Sequence, residues 1–90
     1  MNEKEIGRLI REYIVSTWLS GDGRGFDDET DLTRAGILDS FSTLDMASFI
    51  DDRFRVRLDP SEINASSFRN VSSLTGIVLR RIGTATQPIA

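Results

Sequence analysis

The chain has 90 residues, 28% of them charged, and a formal net charge of −3 at pH 7. This length is typical of one domain, whose core is too small to enclose a sizeable substrate pocket. Histidine and cysteine are absent, which excludes disulfides, the usual zinc ligands, a thiol nucleophile and the commonest general base. The sequence shows neither a basic-then-apolar leader nor an apolar run of about 20 residues, so a soluble, cytoplasmic protein is expected.

The charges are divided unevenly along the chain. Residues 26–52 contain eight carboxylates and a single arginine, a net charge of about −7, which leaves about +4 for the remainder. Such an acidic face would repel nucleic acid and attract a partner with a basic surface. The run Asp27-Asp28-Glu29 lacks the spacing of a calcium-binding loop, which favours a solvated surface or a helix cap over a metal site.

The first segment predicts an amphipathic helix over residues 3–20. Its apolar residues recur at spacings of three and four: Ile6, Leu9, Ile10, Tyr13, Ile14 and Trp18. Asn2 and Glu5 resemble a capping box, and the glycines from Gly21 onward end the helix. Residues 21–39 lack sustained periodicity and predict a long loop, held on the core by Phe26, Leu32, Ile37 and Leu38.

A second helix is predicted from Ser40 to Arg53. We expect its inward stripe to contain Leu44, Ala47, Ile50 and Phe54, with Met46 beside it. Other side chains then lie partly or fully on the outward face: Phe41, Asp45, Ser48, Phe49 and Asp52. Two positions for the Phe49 ring, exposed or tucked into the core edge, are equally compatible with this pattern.

The last third of the chain predicts a short helix and a longer one. Asp59-Pro60-Ser61-Glu62 is a strong helix start, because it combines an acidic N-cap, a proline and a glutamate. Asn70 caps a final helix that Gly83 ends, and residues 84–90 are expected to form a disordered tail. The predicted fold is therefore all-α: one domain over residues 1–83, a small four-helix bundle with three longer helices and one short one.

Ser40 lies where the loop turns into the second helix. The first turn of a helix has free N–H groups and a partial positive charge, so a phosphate ester on this hydroxyl would be held by the helix start. Serine at such a position is also an ordinary helix cap. Neighbours such as Asp39 could cap the backbone, so the two roles do not conflict.

The pattern Asp31-Leu32, Gly36-Ile37-Leu38-Asp39-Ser40, then Leu44, Ile50 and Phe54, resembles the acyl and peptidyl carrier proteins. The resemblance covers residues 6–82. It implies that Ser40 receives 4′-phosphopantetheine from coenzyme A through a phosphopantetheinyl transferase, with Asp39 beside the attachment point. Acyl or aminoacyl groups would then be carried as thioesters on the arm, so the chain would be a carrier and not an enzyme.

The same resemblance implies partner enzymes that load the arm and downstream synthases or transferases that use it. We expect them to contact Ile37, Phe41, Asp45, Ser48, Phe49, Asp51 and Asp52. Phe41 replaces the leucine usual in fatty-acid carriers, and Arg53, Arg55 and Arg57 interrupt the acidity of the helix. These departures favour a carrier of polyketide, nonribosomal peptide or related biosynthesis over one of fatty-acid synthesis. The exposed acids and the lack of a second apolar stripe favour a monomer.

Two other classes of function remain open from the sequence. A cofactor-free helical adaptor could bind a partner through the same acidic face. A small hydrolase using Ser40 as nucleophile is disfavoured, because no histidine is present to activate the hydroxyl and the Gly-x-Ser-x-Gly motif is missing.

Overall fold

The computed structural model describes residues 2–86, and these residues form an all-helical bundle without strands. Helix α1 is Glu3–Trp18, α2 is Ser40–Phe54 and α3 is Val71–Thr86; a single 3-10 turn, Pro60–Glu62, lies between α2 and α3. The predicted all-α class is confirmed. No described helix combines the length and the apolar character that a bilayer crossing needs.

The core lies between one face of α1 and the apolar faces of α2 and α3. Ile6, Ile10 and Ile14 of α1 are completely buried, at the spacing of four that places them in one row along the helix. Helix α1 packs mainly on α3. The two helices meet at Gly7, where an added Cβ would lie 3.5 Å from the Thr75 hydroxyl oxygen, so a small residue suits this crossing.

The predicted helix caps are present. The side chain of Asn2 accepts the N–H of Glu5 at 2.9 Å, and that of Asn70 accepts the N–H of Ser73 at 2.8 Å. Asp59 and Glu62 form the complete capping box of the 3-10 turn. Each cap satisfies N–H groups that have no partner inside their own helix.

The fourth helix is shorter than predicted. Only one 3-10 turn forms after the Asp59 cap, and residues 63–70 continue as turns. Asn64 accounts for this, since its side chain accepts the N–H of Ser67 at 2.8 Å and donates to the carbonyl of Ser61 at 2.7 Å. These local bonds compete with a regular helix. Phe68 follows this turn and is completely buried, although the sequence pattern did not indicate it.

Helix α3 continues beyond its predicted end. Its backbone remains helical through Thr86, so residues 84–86 belong to the helix and not to the expected tail. Residues 87–90 of that tail lie outside the described residues.

The connection between α1 and α2, residues 19–39, is held by contacts with the start of α3 and with α1. Leu32 is buried, and its N–H donates to the carbonyl of Arg69 at 2.8 Å. Asp28 pairs with Arg11, and Glu29 accepts the hydroxyl of Ser72. Two carboxylates of the predicted acidic run thus bind the connection to α1 and α3. No group of carboxylates suited to a metal ion occurs in residues 2–86.

The inward face of α2 differs from the predicted one. Met46, Ala47, Ile50 and Phe54 are buried, whereas Leu44 exposes 58% of its surface. Residues 46, 50 and 54 form a row at spacing four, and at 3.6 residues per turn Leu44 lies roughly 120° away from its centre. The prediction of an inward Leu44 with Met46 at the flank is therefore wrong.

Candidate functional site

Ser40 is the first residue of α2, and the turn before it is set by a glycine. Gly36 has φ +76° and donates its N–H to the carbonyl of Thr33 at 3.1 Å. An added Cβ at Gly36 would meet nothing within 4 Å, so glycine is required there for its backbone conformation and not for space. Ile37 and Leu38 then return to the core, and Asp39 and Ser40 emerge in solvent.

Asp39, not Ser40, caps α2. Its Oδ1 accepts the N–H of Phe41 at 2.9 Å and the N–H of Ser42 at 2.8 Å. These bonds lower the pKa of the Asp39 carboxyl, with the Ser42 N–H contributing most. A cap of this kind stabilises the ionised carboxylate, so Asp39 is charged at neutral pH.

This cap corrects the expectation that the helix start would hold a phosphate on Ser40. The N–H groups of Phe41 and Ser42 are already bonded to a carboxylate, and that of Thr43 donates to the Asp39 carbonyl at 2.9 Å. A phosphate would compete with Asp39 for the same donors and would be repelled by its charge.

The Ser40 hydroxyl is available for modification. It is exposed, and no hydrogen bond among residues 2–86 engages it. Its nearest carboxylate in the chain, Asp39, is occupied by the helix cap and has a lowered pKa, which makes it a poor general base. The site can present an attached group, whereas it lacks the base that would turn the serine into a nucleophile.

A groove of about 420 Å³ opens beside Ser40, between the start of α2 and the residues that follow the 3-10 turn. Its apolar lining comes from Leu38, Leu44, Ile63 and Ala65, and its polar lining from Thr33, Asp39, Ser40, Thr43 and Asn64. The amide of Asn64 forms two hydrogen bonds within its own turn. The remaining surface is a mainly apolar strip next to the exposed hydroxyl.

The outward face of α2 carries apolar and acidic side chains together. Phe41 exposes 81% of its surface, as predicted, and Leu44, three residues on, adjoins it on the same side of the helix. Three further predicted residues are exposed there: Asp45, Ser48 and Asp52. Leu44 was missed as a surface residue, although the row of residues 46, 50 and 54 could have indicated its true direction.

Three of the predicted partner contacts also have structural roles. Ile37 is buried, with 7% exposed, because it anchors the connection to the core. Phe49 is half-buried and stacks on Tyr13, with ring centroids 3.8 Å apart and planes at 9°. Asp51 is half-buried, and its Oδ1 accepts the N–H of Leu58 at 3.1 Å, so it fixes the chain after α2.

The fold is a small helical bundle with an exposed serine at the start of α2. No family model matches the chain. "Probable acyl carrier protein PigG" of a Serratia species is 29% identical over 68 residues, which are 76% of this chain and 78% of that protein. The crystal structure of an acyl carrier protein from Thermotoga maritima matches with a TM-score of 0.73 and 26% identity, covering 94% of this chain and 95% of that one.

A further match is a chain in a structure titled "Crystal structure of FAD-dependent dehydrogenase", with 32% identity and a TM-score of 0.67 over 76% of this chain and 96% of that one. Together with the helical fold, these similarities show that the chain is similar to the acyl carrier proteins. It is a carrier and not an enzyme. Members of this family generally carry a phosphopantetheine group.

Proposed function

We propose that Ser40 is the attachment point of 4′-phosphopantetheine and that the chain carries acyl or aminoacyl groups to enzymes of a polyketide, nonribosomal peptide or related pathway. The observation that carries this proposal is the exposed Ser40 hydroxyl at the first residue of α2, beside a helix cap supplied by Asp39. The arm, once attached, supplies the terminal thiol that this cysteine-free chain lacks.

The residues around Ser40 fit such a group. The Gly36 turn and the Asp39 cap fix the backbone on the N-terminal side of the serine. The groove lined by Leu44 and Ile63 offers an apolar strip beside the attachment point. No described side chain covers the hydroxyl, so a phosphopantetheinyl transferase can reach it.

The outward face of α2 is the surface that we propose for partner enzymes. Phe41 and Leu44 give an apolar contact that a partner can desolvate. Asp45 and Asp52 add charge that steers a basic partner surface towards Ser40. We propose that a transferase, a loading enzyme and downstream synthases or transferases bind there in turn to a monomeric, cytoplasmic carrier.

Intact mass measurement tests the attachment. Incubation with coenzyme A and a broad-specificity phosphopantetheinyl transferase is expected to add one phosphopantetheine to the wild type and none to Ser40→Ala. Ser48→Ala is the matched control, because it removes another exposed serine of α2 and should still be modified. A folded wild type that gains no mass would favour the alternative of a cofactor-free adaptor that uses the acidic face.

One comparison supports a more specific partner. The match to the dehydrogenase structure covers 76% of these 90 residues and 96% of the matched chain, which therefore has only about 70 residues. A dinucleotide-binding fold consists of two βαβαβ halves, and one βαβ unit alone takes about 30 residues or more. The matched helical chain is too short to be a dehydrogenase of that kind, so we propose that such an enzyme acts on the group that this carrier holds.

The dehydrogenase proposal is tested by mixing the loaded carrier with the FAD-dependent dehydrogenase of the matched structure under anaerobic conditions. We expect the bound acyl group to lose two hydrogen atoms while the flavin is reduced and its absorbance bleaches. The same cargo on coenzyme A, without the carrier, is the control and should react more slowly. A flavin that stays oxidised with every acyl and aminoacyl cargo would refute this partner while leaving the Ser40 proposal intact.

A further inference from the structure

Three arginines at the end of α2, Arg53, Arg55 and Arg57, point into solvent and are called here the arginine cluster. Arg53 belongs to the last turn of α2, and Arg55 caps the helix in the left-handed region, with φ 54° and ψ 48°. The chain then alternates: Val56 is half-buried and Leu58 is buried, which directs Arg55 and Arg57 outward. The backbone itself therefore places these side chains on the surface.

Nothing described in the molecule neutralises this cluster. The ion pairs found in residues 2–86 engage other arginines: Arg8, Arg11, Arg24, Arg69 and Arg81. Of the two carboxylates just before the cluster, Asp51 accepts the N–H of Leu58, and Asp52 is exposed and forms none of these pairs. Arg53 in the last turn favours the helix dipole, but three like charges so close in sequence also repel one another.

The cluster gives the two ends of α2 opposite charge: carboxylates lie near Ser40 and arginines lie at the C-terminal end. Asp39 and Asp45 lie near Ser40, whereas the arginines begin 13 residues after it, a distance of about 20 Å along a helix. A complementary enzyme would have basic groups where it receives Ser40 and acidic groups about 20 Å farther along its surface. An enzyme whose docking face is basic throughout would be repelled at the arginine end.

We propose that the arginine cluster is a second docking contact, which binds an acidic patch on the enzyme that loads the carrier. This inference rests on the proposed function of Ser40 and adds a determinant of partner choice to it. A protein surface suits the cluster better than a nucleic acid or an anionic membrane. A polyanion in contact with the arginines would also approach Asp52 and Asp45, and the chain as a whole carries a charge of −3.

The test is the state of the carrier recovered from its native host. The triple variant Arg53→Glu, Arg55→Glu, Arg57→Glu is expressed in the host in place of the wild type. Intact mass measurement then distinguishes the bare, arm-bearing and acyl-loaded forms. We expect the variant to keep the arm while its loaded fraction falls roughly tenfold, since removing complementary charge slows association. The matched control, Lys4→Glu, Arg8→Glu and Arg24→Glu, makes the same change in net charge on α1 and the connection after it, and should load normally.

Each other outcome decides against the proposal. An unchanged loaded fraction, or an equal fall in the control, would show that the cluster does not contact the loading enzyme. Recovery of the variant in the bare form would assign the contact to the transferase instead. A wild type that is itself recovered bare would refute the proposed function, which separates that failure from failure of the docking contact.

Two additional measurements keep the result interpretable. Circular dichroism and thermal unfolding verify that the triple variant is folded, and the single variant Arg57→Glu, outside any helix, replaces it if it is not. Sedimentation of the wild type with phosphatidylserine-containing vesicles tests the membrane alternative. Vesicle binding that the triple variant loses would assign the cluster to lipid and overturn the proposal.

Discussion

Replacing Phe68 with alanine is expected to lower the free energy of unfolding by about 3–5 kcal/mol. Phe68 has no exposed surface and is among the largest fully buried side chains. Its N–H donates to the carbonyl of Asn64 at 2.9 Å, which holds the ring in place on a short turn between two helical segments. Loss of the ring removes apolar burial and leaves a cavity that this constrained turn cannot easily close.

The size of that loss matters because a domain of this length is stabilised by only about 5–13 kcal/mol. Urea unfolding followed by circular dichroism measures the difference. Ser66→Ala, an exposed position in the same turn, is the control and should change stability by less than about 0.5 kcal/mol. A loss below about 1 kcal/mol in Phe68→Ala would show that this ring is not a core residue.

Among single changes on the proposed docking surface, the largest effect on partner reactions is expected for Phe41→Ala. This ring is 81% exposed and one residue away from Ser40, so it contributes little to folding. Aromatic side chains that become buried at an interface commonly contribute more than 1–2 kcal/mol to binding. We therefore expect kcat/KM for transfer of phosphopantetheine to fall about tenfold or more, while thermal stability stays within about 0.5 kcal/mol of the wild type.

Two further variants separate a docking role of Phe41 from a general surface effect. Phe41→Leu keeps an apolar side chain and should retain most of the rate. Phe49→Ala should behave in the opposite way, with a loss of stability, because its ring stacks on Tyr13 and meets Phe54 edge-on at 6.1 Å. Equal rates for Phe41→Ala and the wild type at low salt would contradict the docking surface proposed here.

The local signals in the sequence predicted the local structure well. Asn2, Asp59 and Asn70 were predicted as caps, and each forms the expected bonds. Caps depend on a side chain and on N–H groups two or three residues away. The end of α1 was placed two residues late, because Ser20 adopts a positive φ ahead of the first glycine.

Features that depend on contacts distant in sequence were less predictable. Leu44 was placed inside and Met46 at the flank, since several rotations of α2 bury an apolar stripe and only packing against the rest of the bundle selects one. Phe68 was missed because it stands alone in a polar turn, without the periodicity that marks a core face. The buried position of Ile37 followed from its role as a loop anchor, which conflicts with a role in partner contact.

The candidate site was likewise only partly predictable from the sequence. The motif indicated Ser40 and Asp39, and the structure adds which of the two caps α2. That distinction depends on backbone dihedral angles around the turn, which residue types alone do not specify. The groove beside Ser40 could not be predicted, because Leu44 and Ile63 reach it from different segments.

The cap formed by Asp39 has a consequence for turnover. It immobilises the backbone next to the serine, so a substrate tethered at Ser40, as proposed above, would search a volume centred on one fixed point. Short flexible tethers of this kind give effective concentrations in the millimolar range. An enzyme that binds the helix only weakly still meets its substrate at high local concentration, and the carrier can therefore leave quickly for the next enzyme.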